Sequence, residues 1–479
     1  MNTIPFKRSN AAPLLAILIF AGGLGACVLG PDYKAPEVAQ PAEFRSQLSP
    51  ADATSLADLP WWDVFRDEVL QGLISESLAN NYDLKVAIAR IEQARAVVGV
   101  VRSQYYPQVG YEGFAEGNRA MLPGPNGGST SNTYGTLGGL LSLGWEFDVW
   151  GRIKRSEESA RARLLAQESV RRAVMLSLVS DVAANYFSLL ELDRELAIAD
   201  ESARVFKQTL DLFSYRYEAG KDSHLPVERA QANYDASQAR IADLRREIVQ
   251  QENALSVLLG AYPRPIERGR PLVTQSTPET PVGLTTELLR RRPDILEAEQ
   301  SMISANAEIG VAVANFYPRI GLSALAGGGG LANDDFTGFS TWNAIGNVAG
   351  PLFTGGRLEA IYQERQAYWD ETVARYKKTV LLAFRETSDA LIARQALADR
   401  LKSLQSQVRS LRQSVDTSLL RYDSGRASYF EVLEAQQRLF PAEDDVARTQ
   451  QAQLVAVVNL YKALGGGWQL KEDEWTQAR

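Results

Sequence analysis

Apolar residues recur along this chain with two different periods, and the stretches that carry each period occur twice. From Arg152 to Ala219 there are 68 residues without a Gly or Pro, and a second run of 68, from Arg357 to Ser424, shares that property. Each opens after a Gly-Arg step and closes on Arg-Tyr-x-x-Gly: Arg216-Tyr217-Glu218-Ala219-Gly220 in the first, Arg421-Tyr422-Asp423-Ser424-Gly425 in the second. The matching positions are displaced by 205 residues, which predicts two long helices related by internal duplication. At ~1.5 Å of rise per residue, each is roughly 100 Å long. In the first, Leu189, Leu196, Ala203, Leu210 and Tyr217 are seven apart, with Leu192, Ala199, Phe206 and Phe213 three residues after the first four. The second continues the pattern with Leu397, Leu401, Leu404, Val408, Leu411, Val415 and Tyr422. A 3.5-residue seam held over about four heptads predicts a coiled coil. Between Ala173 and Leu190 the chain is apolar nearly all round, but Asp181, Asn185 and three serines there point to burial between helices rather than a membrane span.

Shorter helical patterns flank these runs. One extends from about Trp62 to Gln104, tolerating Gly72 and Gly99, and its counterpart from about Leu284 to Asn315. Return helices are expected over Val227–Leu259 and Val432–Leu464. Two further segments match at a shift of 211: Val98-Gly99-Val100 through Tyr106-Pro107-Gln108-Val109-Gly110, and Ile309-Gly310-Val311 through Tyr317-Pro318-Arg319-Ile320-Gly321. After each Tyr-Pro the period becomes two. Leu137, Gly139, Leu141, Leu143, Trp145 and Phe147 alternate with Gly138, Ser142, Gly144 and Glu146, while Ile320, Leu322, Ala324 and Ala326 alternate with Arg319, Gly321 and Ser323. These are two hairpins with one apolar face, and turn-rich loops are expected at Asn118–Asn132 and Gly327–Gly338. Four strands do not close a barrel, since membrane barrels begin at about eight. An open sheet in lipid leaves its edge groups unpaired, so at least two copies of the chain must combine. The expected fold class is thus α+β and internally duplicated: long antiparallel helical coiled coils, with a β-barrel to which each subunit gives four strands.

The 479-residue chain is acidic, with net charge −7, which argues against a nucleic-acid partner. It has one Cys and one His. Lys7 and Arg8 precede an apolar core, Leu14 to Phe20, then Leu24-Gly25-Ala26-Cys27, the layout of a secretory signal. The organisation expected is a signal over 1–26, a Pro-rich extended tether over 27–60 and a first repeat over 61–260. A linker over 261–283, a second repeat over 284–465 and a tail over 466–479 follow. No catalytic constellation is present. His224 sits beside Pro226 and reads as a surface turn residue, and Gly327-Gly328-Gly329-Gly330 lacks the Lys-Ser/Thr of a phosphate loop. The chain reads as a non-enzyme that needs no metal or diffusible cofactor.

Several of these features together resemble a known family. They are the Leu-x-small-Cys ending, the duplicated pattern, Arg291-Arg292-Pro293-Asp294-Ile295, Tyr317-Pro318 and Ala463-Leu464-Gly465-Gly466-Gly467-Trp468. The set is similar to that of the TolC-type outer-membrane factors, and more narrowly to the lipoprotein branch that serves resistance–nodulation–division efflux pumps. The resemblance implies a homotrimer with a twelve-stranded barrel in the bacterial outer membrane and a tunnel reaching into the periplasm. It further implies lipid on Cys27, and docking to a periplasmic adaptor and an inner-membrane pump. The docking tips would be Tyr217, Gly220, Lys221, Ser223 and Leu225, with Tyr422, Gly425, Arg426, Ala427 and Ser428. Glu431 and Glu434 are three apart on one helix face, while the first repeat has Pro226 and Arg229 at those places. In the family, acidic residues there line the periplasmic constriction, though usually as Asp; this pair is the expected gate. The function implied is an exit duct passing small toxic compounds or drugs outward. Type I protein secretion or metal-ion efflux is the alternative within the family. A lipid-anchored structural coiled coil is the alternative outside it, and that reading leaves the amphipathic hairpins unexplained.

Overall fold

The computed structural model describes residues 28–39, 41–45, 55–123, 129–275, 285–332, 336–467, 469–470 and 475; Cys27 and the expected signal lie outside them. In chain order the elements are α1 (Trp61–Val64), α2 (Glu68–Asn80), α3 (Tyr82–Ser103), β1 (Gln108–Pro123), β2 (Ser129–Phe147), α4 (Arg152–Glu218) and α5 (Leu225–Leu258). The second repeat has α6 (Thr285–Arg291), α7 (Pro293–Ala314), β3 (Arg319–Ala332), β4 (Phe336–Ala349), α8 (Arg357–Asp423) and α9 (Tyr429–Ala463). Both long helices are present, each of 67 residues. The chain divides into two compact units. One holds 28–37, Arg90–Gln167 and Ala298–Tyr376, and the other Val38–Ala89, Glu168–Glu297 and Lys377–Arg479.

The first unit carries the sheet. Its order is β1-β2-β3-β4, antiparallel throughout, so among the described residues β1 and β4 have each only one neighbouring strand. The register pairs Tyr111 with Leu141, Leu141 with Ala326, and Ala326 with Trp342. That row and its neighbours, Val109–Leu143–Ala324–Ala344 and Phe147–Ile320–Val348, fall on one face by the two-residue period. Several of their side chains are open: Tyr111 at 89 %, Trp342 at 81 % and Val348 at 69 %. The opposite face carries Glu112, Glu116, Ser142, Glu146, Ser323 and Asn347. The loops expected at Asn118–Asn132 and Gly327–Gly338 are mostly strand, because Asn118 pairs with Tyr134 and Gly330 with Gly338. Glycine there permits close approach instead of a turn. A Cβ on Gly327 would lie 2.2 Å from the Gly139 carbonyl oxygen, and one on Gly329 2.4 Å from that of Leu137.

Residues 28–33 lie along this unit, fastened by one buried cation. The Arg155 guanidinium donates to the Leu29 carbonyl at 3.2 Å and to Asp32 at 2.8 Å, and Asn306 donates to the Pro31 carbonyl at 2.8 Å. Burial works against the charge on Arg155, but its bonds to Asp32 and Glu158 outweigh that and raise its pKa.

In the second unit, the single helix expected from Trp62 to Gln104 is three helices, because two side chains cap new starts. Asp67 Oδ1 accepts from the amides of Val69 and Leu70 at 3.0 and 3.2 Å, and Asn81 Oδ1 from those of Asp83 and Leu84 at 2.8 and 3.1 Å. The other Asp67 oxygen accepts from the Arg270 amide at 2.9 Å and Gln275 at 2.7 Å, which ties the linker to α2. The apolar stretch of α4 is interior, with Val179, Val182, Ala183, Tyr186 and Leu189 fully buried. Further along, Ala199 and Ala203 pack with Ile241 and Leu244 of α5, and Val408 of α8 with Leu439 and Ala442 of α9. The coiled-coil seams therefore form between each long helix and its own return helix. Leu56 and Trp61 are buried as well, and Trp61 donates its indole N–H to the Trp475 carbonyl at 3.1 Å, so the end of the expected tether is core.

Arg292 organises the break between α6 and α7, where Pro293 disfavours a helical residue before it. Its side chain is 8 % exposed and donates to the Ala463 carbonyl at 3.0 Å, to Asp294 at 2.7 Å and to Glu386 at 2.8 Å. One guanidinium thus joins the start of α7, the middle of α8 and the end of α9. Arg292→Ala should lower unfolding stability by about 3 kcal/mol, because it leaves a buried carbonyl and two carboxylates without their donor. Arg292→Lys should recover only part of this, since an ammonium does not fork between three acceptors. Urea unfolding of the detergent-solubilised protein, followed by circular dichroism, measures both.

Candidate functional site: the helix turns and a buried charge cluster

Two tight reversals close the repeats. At the first, the Lys221 amide donates to the Arg216 carbonyl at 2.9 Å with Gly220 at φ +67°; at the second, the Arg426 amide donates to the Arg421 carbonyl at 2.8 Å with Gly425 at φ +69°. This is Schellman closure, in which glycine takes the left-handed conformation that other residues resist. Tyr217 and Tyr422 belong to the last turns of α4 and α8, and Leu225 opens α5, so the turns proper are shorter than the expected tips. Ser223 and Lys221 are exposed, Ser428 precedes α9, and Ala427 is half-buried. Tyr217 stacks edge-on against His224 at 4.9 Å, and His224 Nδ1 lies 3.2 Å from Glu228.

The two turns are fastened to each other by the heptad residues Phe213 and Tyr422 together with Arg216, Thr209, Asp222 and Tyr429, which helical periodicity did not single out. Arg216 pairs with Asp222 at 2.6 Å and donates to the Tyr422 hydroxyl at 3.1 Å. Tyr422 meets Tyr429 edge-on at 5.0 Å, Tyr429 meets Phe213 at 5.1 Å, and the Tyr429 and Thr209 hydroxyls are 2.5 Å apart. Glu431 and Glu434 are both exposed on the first turns of α9. Each faces a cation of its own chain: Arg421 lies 3.7 Å from Glu431, and Arg438 lies 2.7 Å from Glu434.

A second charged group joins α4, α5 and α9. Glu195 is 2 % exposed and accepts from Arg448 at 2.6 Å and from Arg240. Burial opposes ionisation of Glu195, but these two guanidinium groups keep its pKa below the ordinary value. Glu191 stands one helical turn away. Burial, and then the hydrogen bond and charge of Glu195, push it up to about 8. Asp444 is pushed up to about 6 by burial and by the charge of Glu195. Three carboxyl groups thus share two cations, and Glu191 holds a proton at neutral pH.

The comparisons with known proteins decide what this architecture belongs to. The profile of the outer membrane efflux protein family matches residues 73–261 and again 284–466, once per repeat. The chain belongs to that family. It is 33 % identical over 477 residues to the solvent efflux pump outer membrane protein SrpC of Pseudomonas putida, covering 97 % of this chain and 100 % of that one. To the cation efflux system protein CusC of Escherichia coli O157:H7 it is 33 % identical over 457 residues, covering 93 % and 97 %. Among solved structures, the outer-membrane channel OprN superposes with a TM-score of 0.83 at 30 % identity, covering 93 % of this chain and all of that one. The open state of the MtrE outer-membrane channel of Neisseria gonorrhoeae gives 0.79 at 28 % identity, covering 92 % and 99 %. This outer membrane efflux protein is a channel polypeptide of the outer membrane, and its duplication is the family's own.

The buried cluster has a pH signature. Between the ordinary value of 4.5 and about 8, the folded protein keeps a proton on Glu191 that the unfolded chain has released. Stability therefore falls as pH rises through that window. Glu191→Gln should flatten this slope and leave the variant relatively more stable at pH 8 than at pH 5. Thermal unfolding followed across that range measures it.

Proposed function

We propose that this efflux protein is one subunit of a trimeric exit duct in a tripartite pump. The duct would receive small toxic compounds or drugs from a periplasmic adaptor and a resistance–nodulation–division pump. The observation that carries the reading is the sheet: four strands, one continuous apolar face, and two edge strands without a partner among the described residues. Such a sheet is stable in hydrocarbon only when copies close it, and three copies give a twelve-stranded barrel with the polar face inward. The relatives' names favour organic cargo, with solvent, toluene and antibiotic efflux pumps at 33–34 % identity. Cation efflux proteins are equally similar, so metal-ion export is the second reading. Complementation of a strain lacking this chain separates the two: organic-solvent and drug resistance should return, and silver or copper resistance should not. Acylation of Cys27 would add a lipid anchor beside the barrel.

In this reading Glu431 and Glu434 form the periplasmic gate. Three-fold symmetry would bring six carboxylates round one axis, a ring that favours cations and binds blocking multivalent ones. The Arg421 and Arg438 contacts hold these acids in place within each subunit. In a planar bilayer, the Glu431→Gln/Glu434→Gln channel should lose its cation preference and its block by trivalent cations. Unchanged selectivity would place the constriction elsewhere.

The helix turns are the adaptor-docking tips in this reading, since they expose Lys221, Ser223 and Arg426 on short loops. A Cβ on Gly425 meets nothing within 4 Å, so a larger residue there meets strain in the backbone rather than a collision. Gly425→Trp should abolish drug resistance while trimers still assemble, as scored by native electrophoresis beside growth assays. Normal efflux in that variant would move docking off this turn.

A further inference from the structure

The corner between β4 and α8 presents two large apolar side chains to open space. Leu352 is 104 % exposed and Phe353 91 %, beyond any other pair of adjacent apolar residues among the described ones. The corner is held at both ends. A Cβ on Gly350 would lie 2.8 Å from Pro318, Gly355 and Gly356 are in the left-handed region, and the Arg357 amide donates to the Thr354 carbonyl at 3.1 Å. Two apolar side chains on a braced corner form a knob without a hole among the described residues of its own chain.

The duplication supplies the hole. In the first repeat, the corresponding corner between β2 and α4 is occupied. Trp150 donates its indole N–H to the Pro318 carbonyl at 2.7 Å and stacks on Tyr317 at 4.9 Å, covering the Tyr-Pro that leads into the next strand, β3. Tyr317 is 40 % exposed under that cover. The other Tyr-Pro, Tyr106-Pro107, leads into β1, and among the described residues no preceding strand of the same chain stands beside it. Its tyrosine is 69 % exposed, next to Val109 at 69 % and Val100 at 64 %. In each repeat, then, a corner should cover the Tyr-Pro of the strand that follows, and for β4 the following strand is β1 of another copy. The match is one of place rather than of residue, since the 205 shift sets Trp150 against Gly355 and the second corner carries its apolar groups two and three positions earlier.

We infer that Leu352 and Phe353 of one subunit seat against Tyr106, Pro107 and Val100 of the adjacent copy, locking the join where β4 meets β1. The inference rests on the reading that copies close the sheet, and it deepens that reading by naming the apolar contact at the junction. The reach is right. Leu352 is three residues past the end of β4 and Tyr106 two before the start of β1, which at ~3.3 Å per residue sets both within about 10 Å of the ends of their strands. The alternative occupant is the lipid boundary, where an aromatic and a leucine also settle.

Cysteine pairs separate these cases, because the native sequence has only Cys27. The full-length Tyr106→Cys/Phe353→Cys protein, oxidised in outer membranes, should give covalently linked multiples of the chain. The yield should be roughly tenfold or more above either single variant, since thiols held side by side meet at high effective concentration. A Gln108→Cys/Ala349→Cys pair at the two strand ends reports closure itself. Linking of that pair without linking of Tyr106→Cys/Phe353→Cys, together with labelling of Phe353→Cys by a bilayer-dissolved maleimide, would overturn the inference and leave closure intact. Failure of both pairs would overturn closure and the inference with it. As an independent readout, Leu352→Asp/Phe353→Asp should lower the temperature at which the oligomer dissociates in detergent while helix content stays unchanged. An unshifted dissociation temperature would also count against the contact.

Discussion

The constraint on which the structure depends is that a backbone N–H or C=O left unpaired in hydrocarbon costs several kcal/mol. The four strands here satisfy each other along three interfaces and leave the outer sides of β1 and β4 open. The apolar row Tyr111–Leu141–Ala326–Trp342 is of use only against lipid, and lipid is where open edges are least tolerated. The polypeptide is thereby an incomplete object whose stable form needs neighbours. Its glycines serve the same end, since a Cβ on Gly327, Gly328 or Gly329 would lie 2.2, 2.7 or 2.4 Å from a carbonyl oxygen of a neighbouring strand.

The helical part meets a different requirement. Helices of 67 residues bury too little on their own, and each gains a partner in the return helix that follows its turn. Polar groups then fix what apolar seams leave loose. Asp67 holds the linker, Arg155 the N-terminal segment and Arg292 three helices, and each is a buried charge with its hydrogen bonds met. The cluster of Glu191, Glu195 and Asp444 with Arg240 and Arg448 differs, for it has one carboxyl group more than it has cations. That surplus makes it responsive to protons in a region otherwise built for rigidity. The turns are joined through the Arg216–Tyr422–Tyr429 contacts.

Much of this is legible in the amino-acid sequence. Breaker-free runs, the Gly that ends each, and offsets of 205 and 211 determine two long helices, two hairpins and their duplication, because these are properties of local backbone preference and period. The alternation around Leu141 and Ala324 determined which strand residues share a face. Glu431 and Glu434 were visible as a pair, yet their Arg421 and Arg438 partners were settled by three-dimensional packing. Only the tertiary structure decided where Asp67 and Asn81 would cap new helices, since a capping side chain looks like any other polar residue until the chain bends around it. Pairing also overrode the turn-like composition of Asn118–Asn132 and Gly327–Gly338. Strand neighbours supply hydrogen bonds that composition does not encode, and the same holds for the three acids that meet from α4 and α9.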